Sequence, residues 1–235
     1  MRVQPRAPKF ALATNRLRAF THLTDETTDP ALPFAADFDR LNLPAMKRLP
    51  LILLVVTFIG FSWFAMQVVH EAGHVLVARL TGAKVTKVAL HPLIMSRTEV
   101  AENPHPLAEI WGGPLVGSLL PLLVFALAAA LRWPGAYLLR FFAGFCLIAN
   151  GVYIGIGHFL AQGADPWVMM ENGSPRWLLV SFGAVTFPLG LYLWHRQGPH
   201  FGLGDAKGKV DTRAAFISAG LFLALTGAEV VRNVR

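Results

Sequence analysis

From residue 49 onward, long uncharged apolar runs alternate with short polar segments, and the lengths of the runs predict the architecture. The run 49–69 holds no Asp, Glu, Lys or Arg over 21 residues. At about 1.5 Å per residue in a helix, that matches a hydrocarbon core about 30 Å thick. It is too long for the apolar region of a cleavable signal and has no small-residue cleavage site behind it. It runs directly into His70-Glu71-Ala72-Gly73-His74-Val75-Leu76-Val77-Ala78, so one helix is predicted to reach Leu80 and stop at Thr81-Gly82. Four further apolar runs follow at about 114–131, 137–161, 177–194 and 213–231. Between the first and second spans, the alternation of Lys84-Val85-Thr86-Lys87-Val88-Ala89-Leu90 suits a short strand. His91-Pro92 and Asn103-Pro104-His105-Pro106 break the chain after it. The expected fold is an all-α polytopic membrane protein of about five transmembrane helices, with a short hairpin or re-entrant segment after the first.

Residues 1–48 have a different pattern. They are polar and mixed, with Pro5, Pro8, Pro30, Pro33 and eight Lys or Arg, and read as a weakly ordered cytosolic extension. The membrane-embedded domain is then 49–235. Met46-Lys47-Arg48 ahead of an apolar run also resembles the start of a membrane protein, which makes Met46 an alternative first residue. With five spans and the N-terminus inside, 14 of the 21 Lys and Arg fall on the inner side; counted from Met46 the tally is 8 against 7. The expected location is the cell membrane.

Composition agrees with a lipid environment: 54% of the residues are apolar and only 15% charged, against about 25% charged in ordinary soluble domains. The net charge of +7 does not point to nucleic acid, because the basic residues are spread over the connecting segments and form no stripe with interleaved aromatics. The single cysteine, Cys146, excludes an internal disulfide and a cysteine-based metal cluster. Small residues four apart, Gly113 with Gly117 and Gly151 with Gly155, suit close helix approach in a membrane.

The chemistry concentrates at His70 to His74. Histidines at i and i+4 project from one helix face, so both imidazoles reach one metal ion and the intervening Glu71 reaches a water bound to it. Zinc with an open position polarises a carbonyl and lowers the pKa of its water to about 7, while a glutamate takes and then delivers a proton. Ionisable side chains beside a long apolar run cost about 2.5–3.5 kcal/mol each on insertion scales when charged, and they mark function when they lie inside the bilayer. The bland alternative is a helix that has already left the bilayer by residue 70.

His70-Glu71-Ala72-Gly73-His74, followed by Ala78 and Gly82, resembles the active-site helix of the site-2 protease family of intramembrane zinc metalloproteases, its smaller multi-pass members in particular. The resemblance implies a helical core in which two His and a distant Asp hold zinc and the Glu drives water at a peptide bond. It extends more weakly over about 108–121 and 150–177. Asp165, in Gln162-Gly163-Ala164-Asp165-Pro166-Trp167 downstream of Asn150, resembles the family's Asp-Gly ligand segment, with Pro166 in place of the Gly and a longer separation from the Asn. His158 is the rival third ligand, and Glu109 and Glu171 are further alternatives. His91, His105, His195 and His200 read as solvated or interfacial. Glu109-Ile110-Trp111-Gly112-Gly113-Pro114 resembles a Gly-Pro segment of the family and reads as a helix start with Pro in the first turn.

The expected function is zinc-dependent endopeptidase action on a membrane-spanning or membrane-proximal segment of a protein substrate within the lipid bilayer. Because a helix hides its backbone in its own hydrogen bonds, cleavage implies local unwinding, with strand-like pairing against 84–90 as one route. The competing class is a non-catalytic metal-binding or scaffold protein of the same fold.

Overall fold

The computed structural model of the 235-residue chain describes residues 45–159 and 162–234. The expected N-terminal extension and the alternative start therefore lie almost wholly outside the described residues. Helix α1 spans Ala45–Leu80, and β1 (Lys84–Ala89) and β2 (Arg97–Ala101) follow. Next come α2 (Pro106–Ala130), α3 (Ala136–Ile156) and a single 3₁₀ turn (Gly157–Phe159). The chain continues with the short α4 (Asp165–Glu171), α5 (Arg176–Trp194), two 3₁₀ turns at Gly198–Phe201 and Gly204–Ala206, and α6 (Thr212–Val234).

Helix α1, with 36 residues, is about 54 Å long, longer than the hydrocarbon core is thick. It ends at the predicted place and for the predicted reason. Gly82 takes φ of 82°, which lets the Ala83 amide donate to the Ala78 carbonyl at 2.8 Å and the Gly82 amide to the Arg79 carbonyl at 3.4 Å. This is the paired bond pattern of a glycine-terminated helix. The chain then forms an antiparallel hairpin with Val88 opposite Thr98 and Lys84 opposite Ala101; the register is interrupted by a bulge between Val85 and Lys87.

Among the described residues, four helices are long and apolar enough to cross a membrane: Arg48–Leu80, Pro106–Ala130, Ala136–Phe159 and Arg176–Trp194. The fifth expected span is present as α6 but is not among these four, so the expected count is approximate. Leu119, Leu123, Leu127, Trp177, Val185 and Tyr192 are exposed along α2 and α5, a surface suited to lipid and not to water. The protein is an integral, multi-pass membrane protein.

The second helix starts earlier than the sequence suggested. It opens at Pro106, which occupies the first turn in place of Pro114, and Pro114 and Pro121 lie inside it. Glu109 caused the error, because its charge removes the first turn from the apolar run although the turn is helical. Buried Glu109 lies on the protein-facing side, and prolines are tolerated inside membrane helices.

Helices come closest where glycines face one another. A Cβ on Gly73 would strike the backbone carbonyl of Gly112, so α1 and α2 touch main chain to main chain. A Cβ on Gly183 of α5 would lie 2.6 Å from the Gly151 carbonyl and 3.0 Å from the Gly155 Cα, which gives the second predicted glycine pair its partner. Without a hydrophobic driving force between helices in lipid, such close packing supplies the association.

Candidate metal centre

His70 and His74 lie on the last third of α1, one turn apart, and both are buried. The chain brings Asp165 to them from the start of α4, 95 residues away in sequence. His70 Nε2 and Asp165 Oδ2 are 2.9 Å apart, the two histidine Nε2 atoms 3.1 Å, and His74 Nε2 and Asp165 Oδ2 3.4 Å. Pro166 fits because it stands in the first turn of α4, where no intrahelical donor is lost. It is fully buried, and its ring packs beside Gly157.

Each imidazole is held from behind. His70 Nδ1 lies 2.6 Å from Asn150 Oδ1, and the Asn150 amide is oriented by its own donation to the Cys146 carbonyl at 2.8 Å. His74 Nδ1 lies 3.1 Å from the Glu109 main-chain carbonyl and 3.0 Å from Glu109 Oε1. With an acceptor behind each Nδ1, the proton belongs there, and each Nε2 presents a lone pair to the shared space. Two lone pairs and a carboxylate oxygen converging within 4.8 Å of one another need a cation between them. Ligands about 2.0–2.1 Å from a tetrahedral zinc would be roughly 3.3 Å apart, close to the spacings here. The donor set therefore fits a metal ion. Burial opposes the Asp165 charge. Without a metal, protons shared with His70 and His74 outweigh burial and hold the carboxyl below the usual carboxylate range.

Glu71 is buried beside this group, and its Oε2 accepts a hydrogen bond from the Thr98 hydroxyl at 2.6 Å. Two cavities meet at this point. One, of about 470 Å³, is lined largely by apolar side chains such as Trp63, Met66, Ile148 and Val152. The other, of about 700 Å³, carries polar groups including Arg97, Asn103, Gln162 and Asn172. Glu71, Tyr153 and Asp165 line both. The strand bordering the polar cleft is β2, through Arg97, Thr98 and Val100, and not the 84–90 segment considered from sequence.

Residues 46–160 match the family model described as Peptidase M50B-like. Over that segment the chain is similar to the proteins of that family. The match agrees with the site-2 protease resemblance. No curated protein and no solved structure matches the chain. The M50B-like segment contains His70, Glu71, His74, Glu109 and Asn150 but ends short of Asp165, whose place in the group rests on the geometry alone.

The other sequence candidates are elsewhere or have other contacts. His158 is buried in the 3₁₀ turn after α3, with its ring against Phe159, and is not part of the converging group. Glu109 stands behind His74, not among the metal-facing atoms. Glu171 accepts from the Trp167 indole at 2.8 Å at an exposed site. His91 accepts the Leu93 and Ile94 amides in the hairpin loop, and His200 stacks on Tyr137. Sequence reasoning missed Thr98, and it missed Tyr153, whose hydroxyl accepts the Asp165 amide at 3.2 Å. Tyr153 lies one turn after Asn150 on α3, a spacing that was legible. Thr98 carried no signal.

Proposed function

We propose that this protein is a zinc-dependent intramembrane endopeptidase in which His70, His74 and Asp165 hold the metal and Glu71 is the general base. The convergence of three donor atoms, with the two imidazoles held from behind by Asn150 and Glu109, carries this reading. Zinc, when bound, supplies a Lewis acid that polarises a carbonyl and acidifies a water. Glu71 takes the proton of the attacking water and delivers it to the leaving amide nitrogen. The histidines and Asp165 keep their donor atoms fixed and ask for no reorganisation during the reaction.

The surroundings of the site support the substrate class. The apolar cavity beside His70 and Glu71 suits side chains of a membrane-spanning or membrane-proximal protein segment. The polar cleft on the other side suits the water that hydrolysis consumes. A helical substrate unwinds locally before its peptide bond is accessible.

The test is zinc per chain in detergent-purified wild type and in His70→Ala, Asp165→Ala and His158→Ala, each checked for intact helix content. Near-stoichiometric zinc is expected in the wild type and in His158→Ala, with loss in the other two. Glu71→Gln is expected to keep zinc and to lose hydrolysis of β-casein, used as a loosely folded probe. Wild type that takes up no zinc when it is supplied would overturn this reading in favour of a non-catalytic membrane protein.

A further inference from the structure

The hairpin meets α1 along one line of its surface. Trp63, Gln67 and Glu71 follow one another at four-residue intervals, so they stack on one face of the helix. Each is hydrogen-bonded to the hairpin. The Trp63 indole donates to the Pro92 carbonyl at 3.0 Å. Gln67, only 2% exposed, accepts the Ser96 amide at 2.7 Å and donates to the His91 carbonyl at 3.4 Å. The last rung is the glutamate itself, which accepts the Thr98 hydroxyl at 2.6 Å.

We infer that Thr98 is a positioning residue for Glu71, and that the hairpin is the arm that holds it in place. The inference rests on the proposed role of Glu71. A glutamate side chain has three rotatable bonds and does not aim itself. A short hydrogen bond to a carboxylate is among the stronger neutral-to-charged contacts, and here it fixes one carboxylate oxygen while the other is free to exchange a proton with water. Thr98 is suited to this because a β-branched side chain on a strand has few χ1 choices, and its strand is held in register opposite Val88. The same strand borders the polar cleft.

The experiment uses the full chain in detergent with Thr98→Val, Thr98→Ser, Glu71→Ala and the Val/Ala double variant. In metal-free protein, Thr98→Val and Glu71→Ala are each expected to lower Tm by about 2–6 °C. The double variant should melt no lower than the worse single variant, because the two side chains share one interaction. In zinc-loaded protein, Thr98→Val should lower kcat for β-casein by about tenfold or more, with KM within about twofold of wild type. Zinc content should stay at the wild-type level, and Thr98→Ser should restore kcat. Additive melting shifts, an unchanged kcat in Thr98→Val, or a Ser variant that fails as Val does would each overturn the inference. A wild type without zinc or without casein hydrolysis would count against the peptidase reading instead. The melting cycle would still decide whether Thr98 and Glu71 are coupled.

Discussion

The two sides of the centre are built differently. The side of the proposed metal is made by helices whose main chains touch, with Gly73 of α1 against Gly112 of α2, and its histidines are held by buried groups on α2 and α3. The side that meets Glu71, the proposed base, is a two-stranded hairpin attached to α1 by hydrogen bonds at Trp63, Gln67 and Glu71. A two-stranded sheet has little stability of its own, so the hairpin depends on those bonds, whereas the ligand side is set by packing. Metal binding and proton transfer are therefore expected to fail separately under mutation.

The largest effect should come from filling the space against the His74 ring. Gly113 faces the His74 imidazole so closely that an added Cβ would collide with Nε2. Gly113→Ala is expected to displace the ring and weaken zinc affinity by more than about 100-fold, a cost above that of losing an ordinary supporting group. Zinc retention after dialysis against a chelator, beside helix content by circular dichroism, checks this. A variant that binds zinc like wild type would show that the α1–α2 contact is looser than described.

Loss of the groups behind the rings should cost less, and not equally. Asn150→Ala removes the acceptor at His70 Nδ1, whereas Glu109→Ala leaves the main-chain carbonyl of residue 109 against His74 Nδ1. Both are expected to weaken zinc binding within about 10–100-fold, with Asn150→Ala the worse of the two by competition titration. The reverse order would mean that the Glu109 charge, more than ring orientation, holds His74.

The same division explains what the sequence revealed. Hydropathy marked the spans and the glycine stop at Gly82, because those features are local and periodic. His70, Glu71 and His74 were legible because one helix turn joins them. Resemblance alone favours Asp165 over His158 in the sequence, since by pattern each is a polar residue near the end of the same apolar run. Periodicity says which side of a helix a residue occupies but not what lies opposite. The fold separates the two: α4 brings Asp165 to the histidines, while His158 stays in the preceding turn. Glu109 was visible as an acid near a helix start, but its work behind His74 depends on a contact 35 residues away. Thr98 lies 27 residues from Glu71 across an irregular loop, in a strand of ordinary composition, and nothing local distinguishes it.

The smallest expected effect lies on the hairpin side and bears most directly on the contrast. Gln67 is one turn before Glu71 and touches the hairpin loop, not the ligands. Gln67→Leu keeps the apolar stem and removes both hydrogen bonds, leaving the Ser96 amide without this partner. Ser96 is half-buried, so water can partly replace the lost acceptor, and the fold should survive. Zinc affinity is expected to stay within about twofold of wild type, since no ligand or ring partner is altered. Amide exchange over 91–98 should quicken as the loop loses an anchor, and kcat for β-casein should fall about three- to fivefold, less than for Thr98→Val, because the Thr98 bond to Glu71 is still made. If zinc affinity fell along with kcat, the two sides of the centre would be one cooperative unit, and the separation drawn between them would be wrong.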